Sequence, residues 1–275
     1  MTFCRLPQSG LLVLLLVLIA APAAVAQDNG STASDTEGLA EKLSNPLAAL
    51  ISVPIQLDYD PKIGEEGERL GITVKPVIPF DLNEDWNLIT RTIAPVVWQK
   101  DVAPDSGTQF GLGDLFPSLW FSPKKPTKGG VIWGVGGAFL IPTATDPLLG
   151  AGKWGAGPTI VLLKQSRPWT FGLLANHVWS FAGKSDRDSL SNTFLQPFIS
   201  YNTPTGWTFT LNTESTYDWK NDAWNVPILL KVSKVVKISD APVQLSGGVR
   251  YWAESPEGGA RGWGLLFSVT LMYPK

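Results

Sequence analysis

The sequence predicts an all-β fold: a transmembrane up-and-down antiparallel β-barrel of about twelve strands. Three observations lead to this prediction. Apolar and polar residues alternate with a period of two in segment after segment, and no helical period competes with it. The chain has 12 tryptophans and 27 glycines but only 17% charged residues, a balance that suits a wall facing lipid. After residue 26 there is no long uninterrupted apolar run, so any membrane crossing must use strands.

Residues 1–26 have the pattern of a cleaved secretory signal peptide. Arg5 precedes an apolar run from Leu11 to Ile19, and small residues end the segment at Ala26. The run is well short of the roughly 20 residues that a spanning helix needs, so a membrane anchor is the weaker alternative. Cys4, the only cysteine, lies within this segment, so the mature chain is expected to have neither a disulfide nor thiol chemistry.

The charge balance restricts the expected partners. The formal net charge of -2 becomes -3 when Arg5 is removed, which does not favour binding to nucleic acid. Export combined with a barrel predicts the outer membrane of a Gram-negative bacterium. The expected partners are outer-membrane lipid, a small-molecule solute and, during insertion, the barrel-assembly machinery; the oligomeric state is left open.

A polar N-terminal segment, residues 27–48, precedes the barrel, which is assigned to residues 49–275. Ser34 to Glu37 resemble a capping box, which predicts one short helix through Leu39 and Leu43 that ends at Asn45-Pro46. We expect this segment to lie in the periplasm or to plug the lumen.

Twelve segments have the alternation expected of strands. The clearest is "WGLLFSVTLMY" near the C-terminus, in which large apolar residues occupy one face and glycine, serine and threonine the other. Connections after odd-numbered segments are longer than those after even-numbered ones, as for extracellular loops and periplasmic turns. The predicted strands are 50–59, 69–80, 86–98, 109–121, 130–142, 153–163, 169–180, 193–202, 207–216, 224–237, 243–253 and 262–273.

Prolines inside these segments are the main difficulty for the barrel, because each removes one ladder hydrogen bond. Bulges or shifted boundaries are expected to absorb them. A soluble two-sheet sandwich would produce the same alternation and is kept as the alternative fold. The prolines in question are Pro76, Pro95, Pro117, Pro158, Pro197 and Pro227.

Tryptophans at both ends of a strand predict an interfacial aromatic girdle. Trp86 and Trp98 are an even number of residues apart and share one face, whereas Arg91 is on the other. Twelve residues in a tilted strand rise roughly 30 Å, about the thickness of the hydrocarbon core. Tryptophan favours both interfaces because its ring is apolar while its N–H needs a polar partner. The predicted girdle is Trp86, Trp98, Trp169, Trp179, Trp207 and Trp263.

The strand register also predicts a mainly positive lumen, which would favour anions. The alternative is that these charges pair with loop carboxylates or serve as structural polar groups. A slip of one residue in any strand would turn its charge outward. The candidate lumen-lining residues are Lys75, Arg91, Glu214, Lys231, Lys237 and Arg250.

No catalytic, cofactor-binding or metal-binding residues are predicted. "GAGKWG" at 150–155 is spaced like a phosphate loop but leads into a strand, so it is interpreted as a loop. His177, the only histidine, shares the outward face with Trp179 and is interpreted as interfacial. Asp186 and Asp188 lack the spacing of a calcium loop. The glycines beside Asp114 favour a turn or bulge. We therefore expect no enzyme.

Eight stretches along the chain, from "LSNPLAALISVPIQ" at residue 43 to "WNVP" at residue 224, resemble a family of Gram-negative outer-membrane transporter-like proteins related to the MetA-pathway phenol-degradation proteins. The resemblance implies an outer-membrane barrel with a transport or channel role, and aromatic solutes as one class of substrate. The function expected is therefore a porin-like channel for passive movement of small anionic or aromatic solutes. The alternatives are a non-conducting structural or adhesive barrel and a soluble periplasmic β-sandwich binding protein. The stretches that carry the resemblance are "LSNPLAALISVPIQ", "PVIPFDLNEDWNLITRT", "GLGD", "IPTAT", "GKWGAGP", "WSFAG", "FLQPFISYN" and "WNVP".

Overall fold

A computed structural model describes residues 33–238 and 241–273. In this part of the chain there is one helix, α1 (Ala33–Leu43), and it is too short to cross a membrane. The predicted signal peptide falls outside the described residues. The strand segments are β1 (Ile51–Ile63), β2 (Gly67–Val74), β3 (Val77–Asp81), β4 (Trp86–Lys100), β5 (Thr108–Leu112), β6 (Phe116–Pro123), β7 (Val131–Leu140), β8 (Lys153–Ser166), β9 (Trp169–Gly183), β10 (Ser191–Asn202), β11 (Trp207–Thr213), β12 (Ser215–Asp218), β13 (Ala223–Ile238), β14 (Ala241–Glu254) and β15 (Gly262–Tyr273).

The strand segments form a closed antiparallel barrel. Each barrel strand, whether continuous or interrupted, pairs with the strands before and after it in the chain. The last strand, β15, pairs with β1 from Ile51 opposite Tyr273 to Tyr59 opposite Leu265. Three barrel strands are interrupted once, giving the pairs β2 and β3, β5 and β6, and β11 and β12. Counting each pair as one strand gives the twelve that were predicted. The two-sheet sandwich is wrong, because a closed sheet leaves no second layer.

The prolines are absorbed in two ways. Pro76 lies in the break between β2 and β3, and Pro227 lies at a register shift in β13, as expected for bulges and interruptions. The others lie inside strands, where each gives up a ladder hydrogen bond, and at Pro95, which faces the break between β5 and β6, the pairing of β4 also shifts by one residue. These are Pro95, Pro117, Pro158 and Pro197.

The two ends of the barrel differ in their connections. We call the end where β1 begins the short-turn end; its connections include residues 82–85, 167–168 and 203–206. The opposite, long-loop end carries residues 141–152 and 255–261 among others. This asymmetry is the one the sequence predicted, and in outer-membrane barrels the short turns face the periplasm.

Side chains alternate between the two faces of the barrel wall. In β15, Phe267 and Leu265 project outward and are half-exposed, whereas Leu266 and Ser268 point inward and are buried. The other strands repeat this pattern and cover the outer surface with large apolar side chains. Such a continuous apolar surface is unsuitable for contact with water and suits lipid.

The N-terminal segment occupies the short-turn end. The described helix begins at Ala33, so Ser34 lies within the helix rather than ahead of it as the predicted cap required. It ends at Leu43, after which the amide of Ser44 donates a hydrogen bond to the carbonyl of Ala40. The helix packs through Ala40 against Leu50, Val235 and Met272. The chain then runs into the barrel before β1 starts.

Candidate functional site in the barrel interior

The interior of the barrel has an apolar side and a polar side. On the apolar side, strands β4 to β9 contribute a buried cluster that fills the space between the walls. Leu47 of the N-terminal segment inserts into this cluster. Glycine at position 134 leaves room for it, since a Cβ there would lie 3.2 Å from both Leu47 methyl carbons. The other cluster members are Ile89, Trp120, Val161, Leu163 and Leu174.

An ion-pair network lines the polar side. Arg250 of β14 lies 2.7 Å from the carboxylate of Asp60 and 3.3 Å from that of Asp58, both in β1. The indole of Trp252 also donates a hydrogen bond to Asp60. Arg250 is thus a structural charge with two carboxylate partners, the alternative that the sequence left open.

Gln56 extends this network across the polar side of the interior. Its amide donates to both carboxylate oxygens of Asp58, while its oxygen accepts a hydrogen bond of 3.2 Å from Lys75. The Lys75 ammonium is therefore held by a neutral group. Among the described residues it has no carboxylate within ion-pair distance.

Lys231 and Arg91 are two further interior cations besides Arg69, which donates a hydrogen bond to Gln99, and Glu214 lines a cavity together with both of them. Glu214 accepts a hydrogen bond from Gln196, and within the described part of the chain neither Lys231 nor Arg91 forms an ion pair with it. Lys75, Arg91 and Lys231 therefore lack a directly bonded carboxylate, as does Arg69. The interior keeps an excess of positive charge after the Arg250 network has been counted.

Arg91 separates the two sides of the interior. Its guanidinium carbon lies 5.3 Å from the centre of the Trp120 ring, a cation–π contact that anchors it to the apolar cluster. Its Nε is buried and has no hydrogen-bond partner among the described residues. A buried guanidinium with an unused donor is costly unless something else supplies the acceptor.

Three cavities meet at Arg91. The largest, about 430 Å³, lies next to the N-terminal segment and is lined by Lys75, Lys231 and Glu214 among other polar groups. A smaller one of about 180 Å³ shares Lys231 and Glu214 with it. The third, about 270 Å³, extends from Arg91 toward the long-loop end and is mainly apolar. All three border the side chain of Arg91, and we refer to them together as the route.

The N-terminal segment covers this route at the short-turn end. Ser44 donates a hydrogen bond of 3.2 Å to the side chain of Asn202, and Gln165 donates one to the carbonyl of Glu41. Arg167, in the turn between β8 and β9, forms ion pairs with Glu41 at 2.6 Å and Glu37 at 4.0 Å. In this structure the segment is thus fastened to the wall by polar contacts and by Leu47.

At the long-loop end, two loops are tied to one another. Arg187, in residues 184–190, donates hydrogen bonds to the carbonyls of Pro147 and Ala151 in residues 141–152. Asp114, between β5 and β6, accepts hydrogen bonds from the amides of Ala144 and Ala151. Asp114 therefore shapes a loop at the break between two strand segments.

The remaining predicted residues take the following positions. Lys237 has the register of an inward residue but lies at the short-turn end and is exposed. His177 lies on the outer face, 4.1 Å from the ring of Trp179, with Thr193 as a hydrogen-bond partner. The described residues contain no group of three or more side chains that could hold a metal ion.

The structure places the six girdle tryptophans on the outer face, three near each end. Those near the short-turn end are Trp86, Trp169 and Trp207, and those near the long-loop end are Trp98, Trp179 and Trp263. Sequence reasoning missed Trp133, whose ring meets that of Trp86 at 5.8 Å. The same even spacing from a strand end would have identified it.

Comparison with protein-family models and with curated proteins gives no match. Among solved structures, an outer membrane channel from Pseudomonas putida F1 superimposes on the chain with a TM-score of 0.63 at 14% sequence identity. The alignment covers 82% of this chain and 94% of that one. The chain shares its fold with that channel. Outer membrane phospholipase A from Escherichia coli is less similar, with a TM-score of 0.49 at 11% identity over 88% of this chain and 98% of that one.

Proposed function

We propose that the protein is an outer-membrane channel through which small solutes move passively, without a cofactor, a nucleotide or a catalytic step. The observation that carries the proposal is the presence of three cavities inside a closed barrel, two of them with polar linings, that all border Arg91. The apolar outer face supports its place in lipid. The fold shared with the Pseudomonas putida channel supports the same function.

The charge of the interior favours anions as solutes. Lys75, Arg91 and Lys231 line the cavities without a bonded carboxylate among the described residues, and Glu214 is the one acid close to them that is not part of the Arg250 network. Cations in a narrow, partly dehydrated passage attract anions and repel other cations. A preference for aromatic solutes rests on the family resemblance alone and stays a prediction.

Conduction requires the N-terminal segment to move. In the described conformation α1 and residues 44–50 cover the cavities at the short-turn end, with Leu47 in the apolar cluster. The segment is held by the polar contacts of Ser44 and Arg167 and by the apolar packing of Ala40 and Leu47. We therefore propose a gated channel in which the segment shifts or leaves to open the route.

A second candidate function is a non-conducting structural or adhesive barrel. The packed apolar side favours it, because buried residues from β4 to β9 pack against one another in the manner of a soluble core. The polar cavities distinguish the two candidates, since a purely structural barrel has no need for cations without partners in its interior.

The test is single-channel recording in planar bilayers. Full-length mature protein folded in detergent is expected to give discrete conductance steps and, under a salt gradient, a reversal potential that indicates anion preference. Folded, heat-modifiable barrel that never conducts over a range of voltages would contradict the channel and favour the structural barrel.

A further inference from the structure

The apolar cavity next to Arg91 has the features of a binding site. It encloses about 270 Å³ and lies between the arginine and the long-loop end. Its walls are mostly apolar, with a small number of polar groups at fixed positions, which is the usual composition of a small-molecule site. The residues that matter here are Phe116, Leu140, Val178, Phe194, Asn192 and Arg91.

Two polar atoms in the wall of this cavity have no partner among the described residues. They are the Nε of Arg91, a hydrogen-bond donor, and the Oδ1 of Asn192, an acceptor. Both are buried, and buried polar atoms are nearly always bonded in a stable protein. Both atoms belong to residues that line the cavity, so a ligand with complementary groups can approach the side chains that carry them.

The charge of Arg91 determines which ligand fits. The guanidinium is attached to Trp120 on one side and has no ion-pair partner in the described part of the chain. A carboxylate in the cavity would pair with the guanidinium through a charge-assisted hydrogen bond, the strongest kind available to it. The apolar walls of the cavity then favour a carboxylate that is attached to an apolar group.

We propose that this cavity binds a small monocarboxylate with a compact apolar body, its carboxylate on Arg91 and its body between Phe116, Leu140 and Phe194. Asn192 accepts a hydrogen bond from ligands that carry a hydroxyl on that body. Small inorganic anions gain nothing from the walls, and neutral apolar compounds leave Arg91 unsatisfied. The inference rests on the proposed channel function in that the bound anion is the solute that passes.

Equilibrium binding to the full-length protein tests the site independently of conduction. Benzoate is titrated by calorimetry into the barrel folded in detergent, with benzyl alcohol and sulfate as matched probes. We expect saturable binding of benzoate and at least tenfold weaker binding of both other compounds. Equal binding of benzoate and benzyl alcohol, or no saturable benzoate binding, overturns the proposal.

Three variants locate the site. Arg91→Met is expected to weaken benzoate binding at least tenfold, and Leu140→Trp, which fills the cavity and leaves the charge in place, is expected to do the same. Lys164→Met removes an exposed cation on the outer face of β8, which lines none of these cavities, and is expected to stay within twofold of the wild type. Each variant is first shown to be folded by heat-modifiable migration. If Arg91→Met does not fold, Leu140→Trp decides, and unchanged binding by that variant contradicts the proposal.

Conductance separates this inference from the channel proposal. Benzoate binding without single-channel steps would keep the binding site and remove the channel. Conductance without benzoate binding would support the channel and contradict the binding site.

Discussion

Arg250 and Asp60 form an ion pair inside the barrel, 2.7 Å apart, with their side chains 10% and 7% exposed. They belong to β14 and β1, on opposite sides of β15. Asp58 adds a second carboxylate at 3.3 Å. This network fastens the part of the wall where the first and last strands meet.

Removing one member of this network should destabilise the barrel strongly. Arg250→Met leaves two buried carboxylates without their cation, and the free energy of unfolding should fall by about 3–5 kcal/mol. Urea unfolding in detergent, followed by tryptophan fluorescence, measures the change. The matched control is Lys100→Met, which breaks an exposed pair 3.8 Å long and should cost about 0–1 kcal/mol. Equal losses in the two variants would contradict the structural role of Arg250.

The strands were predictable from sequence because burial in this fold has a period of two. Phe267 and Ser268 alternate for the same physical reason as every other pair along the wall: one face meets lipid and the other the interior. Closure followed from the even number of such segments. The breaks in three strands were not predicted, because interruptions depend on local pairing that a single strand does not reveal.

The interior was less predictable, because its contacts join distant parts of the chain. Asp58 and Asp60 share the inward register of Gln56, so the alternation alone could have identified them as partners for Arg250. Leu47 could not be assigned, since its place depends on the space left by glycine at position 134. The spacing of Trp120 does not mark it as a girdle tryptophan. The sequence also does not show that its ring lies inside the barrel beside Arg91.

The depth of the barrel in lipid is tested by arginine substitutions on the outer face. Phe267 lies near the middle of β15 and Trp263 near its end. Phe267→Arg should reduce the free energy of unfolding in bilayers by about 2–4 kcal/mol, whereas Trp263→Arg should cost about 0–1 kcal/mol. Unfolding from liposomes in guanidinium measures both. If Phe267→Arg and Trp263→Arg reduce the free energy of unfolding equally, the apolar outer face does not lie in lipid as we describe.

Anion preference should depend on the interior cations. Lys231→Glu replaces a cation that lines the two polar cavities and should shift the reversal potential toward cation preference. Lys164 is exposed on the outer face of β8, so Lys164→Glu makes the same change of charge outside the route and should leave selectivity unaltered. The measurement is the reversal potential under a tenfold salt gradient. A shift of equal size in both variants would indicate a surface effect only.

The attachment of the N-terminal segment should depend on Leu47. Leu47→Ala removes a buried side chain from the apolar cluster, a change that costs about 2–5 kcal/mol in well-packed sites. Hydrogen exchange of the amides in α1 should therefore accelerate at least tenfold, while exchange in β14 stays unchanged. Leu148→Ala, in an exposed loop position, is the control and should alter neither. Slow exchange in α1 of the Leu47→Ala variant would show that other contacts hold the segment.

The most direct test of the gated channel is a reversible lock on the N-terminal segment. The only cysteine, Cys4, lies in the predicted signal peptide, so Ser44→Cys with Asn202→Cys can introduce a single disulfide where the two side chains now lie 3.2 Å apart. Single-channel conductance is recorded with the pair oxidised and again after a reductant is added, with each single variant as a control. Our account predicts closed channels in the oxidised protein and conductance steps after reduction, with no effect of reductant on the single variants. Equal conductance in both states would show that the segment does not gate the barrel.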